Sequence, residues 1–144
     1  MTDELKRRIE IRIPSELGYE KVAMEAAATV ARQMGFSPDR VQDLKTAVSE
    51  ACLNAIEHGN QLDARQRVFI VLTVQPSGLV VNVADSGKEP IPTGQPQPGR
   101  GQDNRGWGMF LIQNLVDEFD FGLTPQGGNF IRMRLNLMPG RVTA

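Results

Sequence analysis

Glu50, Asn54, Asp85 and the run Arg105-Gly106-Trp107-Gly108 are the residues of this chain whose types and spacing could do chemistry. Glu50 and Asn54 stand at i and i+4, so on a helix their side chains point the same way. Mg²⁺ keeps several waters and takes only one or two protein oxygens besides phosphates, so one Asn carbonyl suffices where a triphosphate supplies the rest. A carboxylate one turn away can orient and deprotonate a hydroxyl or a water, an effect of about 10²–10⁴ in rate. Asp85 closes the apolar run Leu79–Ala84, where it can accept a hydrogen bond from an exocyclic amine such as that of adenine. Gly87 would let a base approach the backbone. Gly106 and Gly108 at a helix entrance leave N–H donors unshielded, and those donors with the helix dipole favour phosphate oxygens. Arg100 and Arg105 flank them. In this order the set describes a pocket for a metal-bound nucleotide.

Each piece alone also has a plainer reading. Glu50 and Asn54 can be a solvated pair, Asp85-Ser86-Gly87 a common turn, and Gly106-Trp107-Gly108 a helix start. His58 can contact phosphate, but finishing its helix is the simpler role. Met109, Phe110, Leu111, Ile112, Leu115 and Val116 read most simply as core. The glycines form neither a Walker motif, since no Gly-Lys-Ser/Thr is present, nor a dinucleotide fingerprint, since the third glycine is missing.

The elements that must hold these residues follow from periodicity. Arg7 to Ile13 alternates as a half-buried strand. Pro14-Ser15 ends it, with Ser15 as a helix cap. Glu16 to Met34 has helical spacing and stops at Gly35. Ser37 as N-cap and Pro38 at the first position restart a helix, which runs to about His58 and ends at Gly59-Asn60. On it apolar residues cover most of the circumference, leaving a narrow stripe of Asp43, Glu50, Asn54, Glu57 and His58, the pattern of a wall facing a polar cleft. Val68–Val74 and Leu79–Ala84 read as a hairpin around Gln75-Pro76-Ser77-Gly78. Residues 88–104 form a long Gly-, Pro- and Gln-rich loop, and long loops in compact domains tend to be functional. Trp107–Val116 reads as a helix, and Glu118–Leu123 and Asn129–Leu137 as a closing pair of strands. The resulting fold class is α+β, a two-layer sandwich with helices on one face of a mixed, mostly antiparallel sheet.

With 144 residues and 40% hydrophobic content, the chain suits one domain, 1–144, around one core. A net charge of -1 gives no basic field for a nucleic acid backbone. No apolar run is long enough for a bilayer. The single cysteine, Cys52, forms no intrachain disulfide framework and fits a reducing cytoplasm. Cys52 and His58 alone make a structural zinc site untenable.

The chain resembles the GHKL (Bergerat-fold) ATPase superfamily, and within it the stand-alone anti-sigma factor serine/threonine kinases of bacteria. Ala47–Gly59 matches the N box, Val83-Ala84-Asp85-Ser86-Gly87 the first glycine box, and Arg105–Ile112 the second. The resemblance implies ATP and Mg²⁺ as cofactors. It makes Glu50 the general base for a substrate serine, Asn54 the Mg²⁺ ligand, and Asp85 the partner of the adenine amine, with Gly87 packed on the ring. Residues 88–105 would be the ATP lid, and Gly106, Gly108 and Met109 would hold phosphates. Such proteins bind a sigma factor, phosphorylate an anti-anti-sigma protein of the STAS fold, and often form homodimers, without nucleic acid or membrane contact. Two departures stand out: Lys88-Glu89-Pro90 follows the first glycine box, and Asn129 replaces the usual Thr or Ser while still able to hydrogen-bond.

The expected function is therefore an ATP-dependent serine kinase and anti-sigma factor. The alternatives are a non-catalytic partner-switching module or a related regulator of another output. A histidine kinase is disfavoured, because this length leaves no room for a dimerisation helix pair.

Overall fold

The computed structural model describes residues 7–87 and 105–137. The order of elements is β1 (Arg8–Pro14), α1 (Glu20–Met34), α2 (Pro38–Asn54), a π-helical turn (Ala55–Gly59), β2 (Arg67–Gln75), β3 (Gly78–Ala84), α3 (Arg105–Leu115), β4 (Glu118–Leu123) and β5 (Asn129–Asn136). The strands form one sheet in the order β1-β2-β3-β5-β4. The expectation of a mixed sheet is refined: every described pair is antiparallel. A pair of strands joined by a two-residue turn (Pro76-Ser77) can only be antiparallel, and β4 and β5 are likewise joined by a short turn.

Period-2 alternation decides which face the helices cover. Val68, Ile70 and Leu72 of β2, Leu79, Val81 and Val83 of β3, and Ile131, Met133 and Leu135 of β5 point into the core. The helices answer with Ala23, Ala27 and Ala31 on α1 and Leu44, Ala47, Val48 and Ala51 on α2, all fully buried. Small alanines let α1 and α2 approach closely, so large residues such as Leu44 can fill the space beneath them. Truncating a residue like Leu44 to Ala costs about 2–5 kcal/mol through lost burial and the cavity left behind. On the sheet's other face Phe69 is exposed and carries the Arg12 guanidinium 5.3 Å above its ring.

The stop signal at Gly35 and the start signal at Ser37 are both realised. Gly35 takes φ 95°, and the next amide, Phe36 N–H, reaches back to the Ala31 carbonyl at 3.2 Å. Ser37 Oγ accepts from the Arg40 amide at 3.2 Å. Ser15, in contrast, caps no helix. The α1 helix begins later, at Glu20, whose own carboxylate accepts from the Gly18 amide at 2.7 Å. Ser15 is fully buried and donates to the Gln66 carbonyl at 2.8 Å, tying the end of β1 to the start of β2.

Arg40 fastens α3 in place. Its guanidinium donates to Asp43 (2.8 Å), to the Leu115 carbonyl at the end of α3 (3.2 Å), and to Asp117 (2.9 Å). The same Asp117 oxygen accepts from the Asn136 amide at 2.7 Å, so one arginine joins α2, α3 and the end of β5.

Candidate nucleotide site

The α2 helix brings Glu50 to a partly buried position against the start of α3. A Cβ built on Gly108 would lie only 3.0 Å from Glu50 Oε1, so the carboxylate rests on the face that glycine leaves open. Burial lifts the Glu50 carboxyl above its ordinary value, and the Glu57 carboxylate adds to the effect. A carboxylate with raised affinity for protons beside a glycine-lined helix entrance has the electrostatics of a general base.

One turn on, Asn54 is buried (9% exposed), deeper than an open polar stripe would place it. Beyond it the helix widens into the π-helical turn, which carries the partly buried His58 and exposed Glu57. Turns of this kind recur at functional sites because they re-aim side chains at a helix end. Here the widened turn delivers Gly59 to Asp85: a Cβ on Gly59 would lie 2.0 Å from Asp85 Oδ2.

Asp85 is held from several sides. Its Oδ1 accepts from the Gly87 amide (2.9 Å), the Asn129 amide (3.2 Å) and Asn129 Nδ2 (3.4 Å). Its own amide donates to the Asn129 carbonyl at 2.9 Å. Backbone crowds it where side chains would not fit. A Cβ on Gly87 would fall 1.2 Å from the Gly59 carbonyl oxygen, and one on Gly128 would fall 1.9 Å from the Asp85 carbonyl oxygen. Gly59 thus presses on the Asp85 carboxylate, Gly128 on the Asp85 backbone carbonyl, and Gly87 on Gly59, so bare backbone packs around this one residue.

Of the residues expected from sequence, Glu50 and Gly108 meet directly, as do Asp85, Gly87 and Asn129. Asn54 and His58 lie on the segment that links the two groups. Gly106 is partly buried in the first turn of α3, one residue from the exposed Trp107, whose ring meets Phe110 edge-on at 5.7 Å. The Met109 side chain is core (6% exposed), which leaves only its backbone amide for the expected phosphate contact. Arg105 begins α3. Of the expected lid, 88–105, residues 88–104, Arg100 among them, lie outside the described residues. No cluster of three or more His, Cys, Asp or Glu side chains suited to a metal occurs among the described residues. The buried Asn54 carboxamide, beside the partly buried Glu50, is a donor of the type Mg²⁺ accepts.

Asn60 and Gly128 carry no functional role in the sequence pattern, and Gly59 enters it only as the last residue of the N box. In the sequence Asn60 marks only the end of a helix. It is 4% exposed, donates from Nδ2 to Ser15 Oγ (2.9 Å) and to the Arg67 carbonyl (3.1 Å), and accepts from the Ser86 amide at 2.9 Å. The available signal was its place directly after the Gly59 of the N box.

The fold and this site define a class: residues 13–135 match the model of the histidine kinase-like ATPase domain, and the chain belongs to that family. Among its relatives are the proteins named serine-protein kinase RsbW from Bacillus thuringiensis (strain Al Hakam) and Bacillus cereus (strain 03BB102). Each is 31% identical over 130 residues, covering 81% of this chain and 81% of the relative. The structure of the RsbU and RsbW domains of Rv1364c from Mycobacterium tuberculosis shares the fold, with a TM-score of 0.65 at 18% identity over 95% of this chain and 34% of that one. So does the histidine kinase domain of the blue-light activated histidine kinase EL346 from Erythrobacter litoralis, with a TM-score of 0.54 at 19% identity over 82% of this chain and 61% of that one. No helix among the described residues is long and apolar enough to cross a membrane.

Proposed function

We propose that this chain is an ATP-dependent serine/threonine protein kinase and anti-sigma regulatory factor of the bacterial cytoplasm, phosphorylating a STAS-type anti-anti-sigma partner. Self-association as a homodimer belongs to the same reading. The observation that carries it is the apposition of the Glu50 carboxylate and Gly108 at the mouth of α3. The RsbW-named relatives support the same activity.

Bound Mg-ATP supplies the transferable phosphoryl group and the cation that offsets its charge. Asn54 would hold the cation through its carbonyl oxygen. Asp85 would accept the adenine amine, with Gly87 leaving room for the ring. The amides of Gly106, Gly108 and Met109 would face the phosphates. Glu50 takes the proton of the substrate serine hydroxyl as that oxygen bonds to phosphorus and ADP departs with the electrons of the broken bond. Phosphoryl transfer depends mainly on positioning and charge neutralisation, which is what these residues offer.

The test is Glu50→Ala. The variant should bind Mg-ATP like the parent by calorimetry, yet leave a co-incubated STAS protein unphosphorylated by mass spectrometry. Undiminished transfer would remove Glu50 from the chemistry. A parent protein that binds Mg-ATP but transfers nothing to any STAS protein would make the chain a partner-switching module with a structural nucleotide.

A further inference from the structure

Asn60 lies outside the residues assigned to nucleotide above, yet its side chain is the junction of three distant segments. Its carboxamide spends both donor hydrogens on Ser15 Oγ at the end of β1 and the Arg67 carbonyl at the start of β2. Its acceptor takes the Ser86 amide, in the turn after β3. The backbone at Asn60 is fixed as well: its amide donates to the Ala55 carbonyl at 2.8 Å across the widened turn, and its carbonyl accepts from the Asp63 amide at 3.0 Å. A buried amide with donors and acceptor all matched specifies one arrangement of the groups it joins.

The chain strains to put it there. Gln61 and Leu62, directly after Asn60, take φ of 52° and 60°, the left-handed region that side chains disfavour. Both are exposed, so neither side chain reaches the core through this backbone. What the conformation does secure is a reversal that leaves Asn60 pointing inward between Ser15 and Ser86.

Ser86 sits between Asp85 and Gly87. With Ser86 anchored by Asn60, and Gly87 pressed against the Gly59 carbonyl, the turn is gripped by two consecutive residues of the preceding segment. We propose that Asn60 is a positioning residue for base recognition: it sets the Asp85–Gly87 turn at the height where the carboxylate meets the amine edge of the purine, while taking no part in phosphate binding. This rests on the nucleotide reading above and adds to it a residue that governs base affinity separately from phosphate affinity.

The experiment is calorimetry on the full chain with two probes, Mg-ATP and Mg-tripolyphosphate, for the parent, Asn60→Ala and Ser15→Ala. Asn60→Ala should lose about tenfold in Mg-ATP affinity, the scale of one buried hydrogen-bond partner removed. Its Mg-tripolyphosphate affinity should stay within roughly twofold, since the first turn of α3 is untouched. Ser15→Ala removes only the hydroxyl behind Asn60 and should shift Mg-ATP affinity the same way by a smaller factor. It therefore also reads the inference if Asn60→Ala fails to fold. Equal losses for both probes would make Asn60 a general structural residue and overturn the proposal, as would unchanged Mg-ATP affinity in folded variants. A parent that binds Mg-tripolyphosphate but gains nothing from the adenosine moiety would instead sink the assignment of Asp85 itself.

Discussion

Asp85 and Asn129 are bound to each other three times: the Asp85 amide to the Asn129 carbonyl at 2.9 Å, and the Asn129 amide and side-chain nitrogen to Asp85 Oδ1 at 3.2 and 3.4 Å. The pairing extends the β3–β5 ladder one step beyond Ala84↔Phe130 and turns a strand end into a rigid mount for a carboxylate. Both residues are almost fully buried. A buried carboxylate is tolerated where donors meet it, and the donors also decide where its oxygens point.

Replacing Asn129 tests that mount. Asn129→Ala should destabilise the fold by about 1–3 kcal/mol, because a buried carboxylate loses a donor. Asn129→Thr, which restores a hydroxyl donor, should recover most of the loss. Chemical denaturation of the three proteins measures both effects. Equal stability of parent and Ala variant would show that the side-chain amide contributes nothing beyond the backbone ladder.

Gly87 is constrained more severely. With the Gly59 carbonyl oxygen 1.2 Å from where a Cβ would sit, Gly87→Ala cannot be absorbed by a side-chain shift, because the obstacle is backbone. The turn must move away from Gly59, carrying Asp85 with it. The expected outcome is a folded protein of lower melting temperature whose Mg-ATP affinity falls about 5- to 150-fold, since the Asp85 match costs on the order of 1–3 kcal/mol when lost. Gly127→Ala is the control without crowding: nothing lies within 4 Å of its Cβ position, and its cost comes only from φ 96°. A Gly87→Ala protein with parental affinity would show that the turn has slack.

The parts of this site that sequence made legible are those written in local spacing. Glu50 and Asn54 are one helical turn apart, Asp85 ends a β-branched run, and Gly106 and Gly108 open an apolar helix, so period and punctuation place them on their elements, while their roles rest on the family resemblance. Asn60 was invisible for the opposite reason: Ser15 is 45 residues away and Ser86 is 26, and no periodicity links them. Ser15 differs from its expected role for a related cause. A serine after a strand-ending proline looks like a cap, but its hydroxyl is taken by Gln66, 51 residues on. The widened turn at Ala55–Gly59 has no composition marker either; it is set by what Gly59 must touch. The antiparallel character of the whole sheet depended on β5 entering between β3 and β4, a tertiary choice that strand patterns alone do not encode.

Burial of Glu50 has a consequence for stability. Its folded carboxyl is held above the ordinary value of 4.5, first by burial and then by Glu57. The folded state therefore binds the proton more tightly than the unfolded chain. That contribution to stability is fully present below the unfolded value and is lost as pH rises through the folded one. At neutral pH the ionised Glu50 works against folding. Glu50→Gln should thus raise the melting temperature at pH 7, and the gap should close as pH falls below about 4.5. A gap that widened on acidification would mean that Glu50 is stabilised as the anion.

Glu57 offers the corresponding control on activity. Its charge is the secondary cause of the raised Glu50 carboxyl, and its side chain is exposed, so Glu57→Gln removes the charge with little effect on packing. A general base must be deprotonated to act, so turnover falls as pH drops through the Glu50 value. Without Glu57 that value moves down, and the acidic limb of the kcat/KM profile should move to lower pH, with the plateau at neutral pH nearly unchanged. Burial, the larger cause, remains, so the limb should stay above the position of an unperturbed glutamate. Added salt should shift the parent limb in the same direction, because the Glu57 interaction crosses a partly solvated gap and is screened. A limb that ignores both the substitution and the salt would assign the titration to another group.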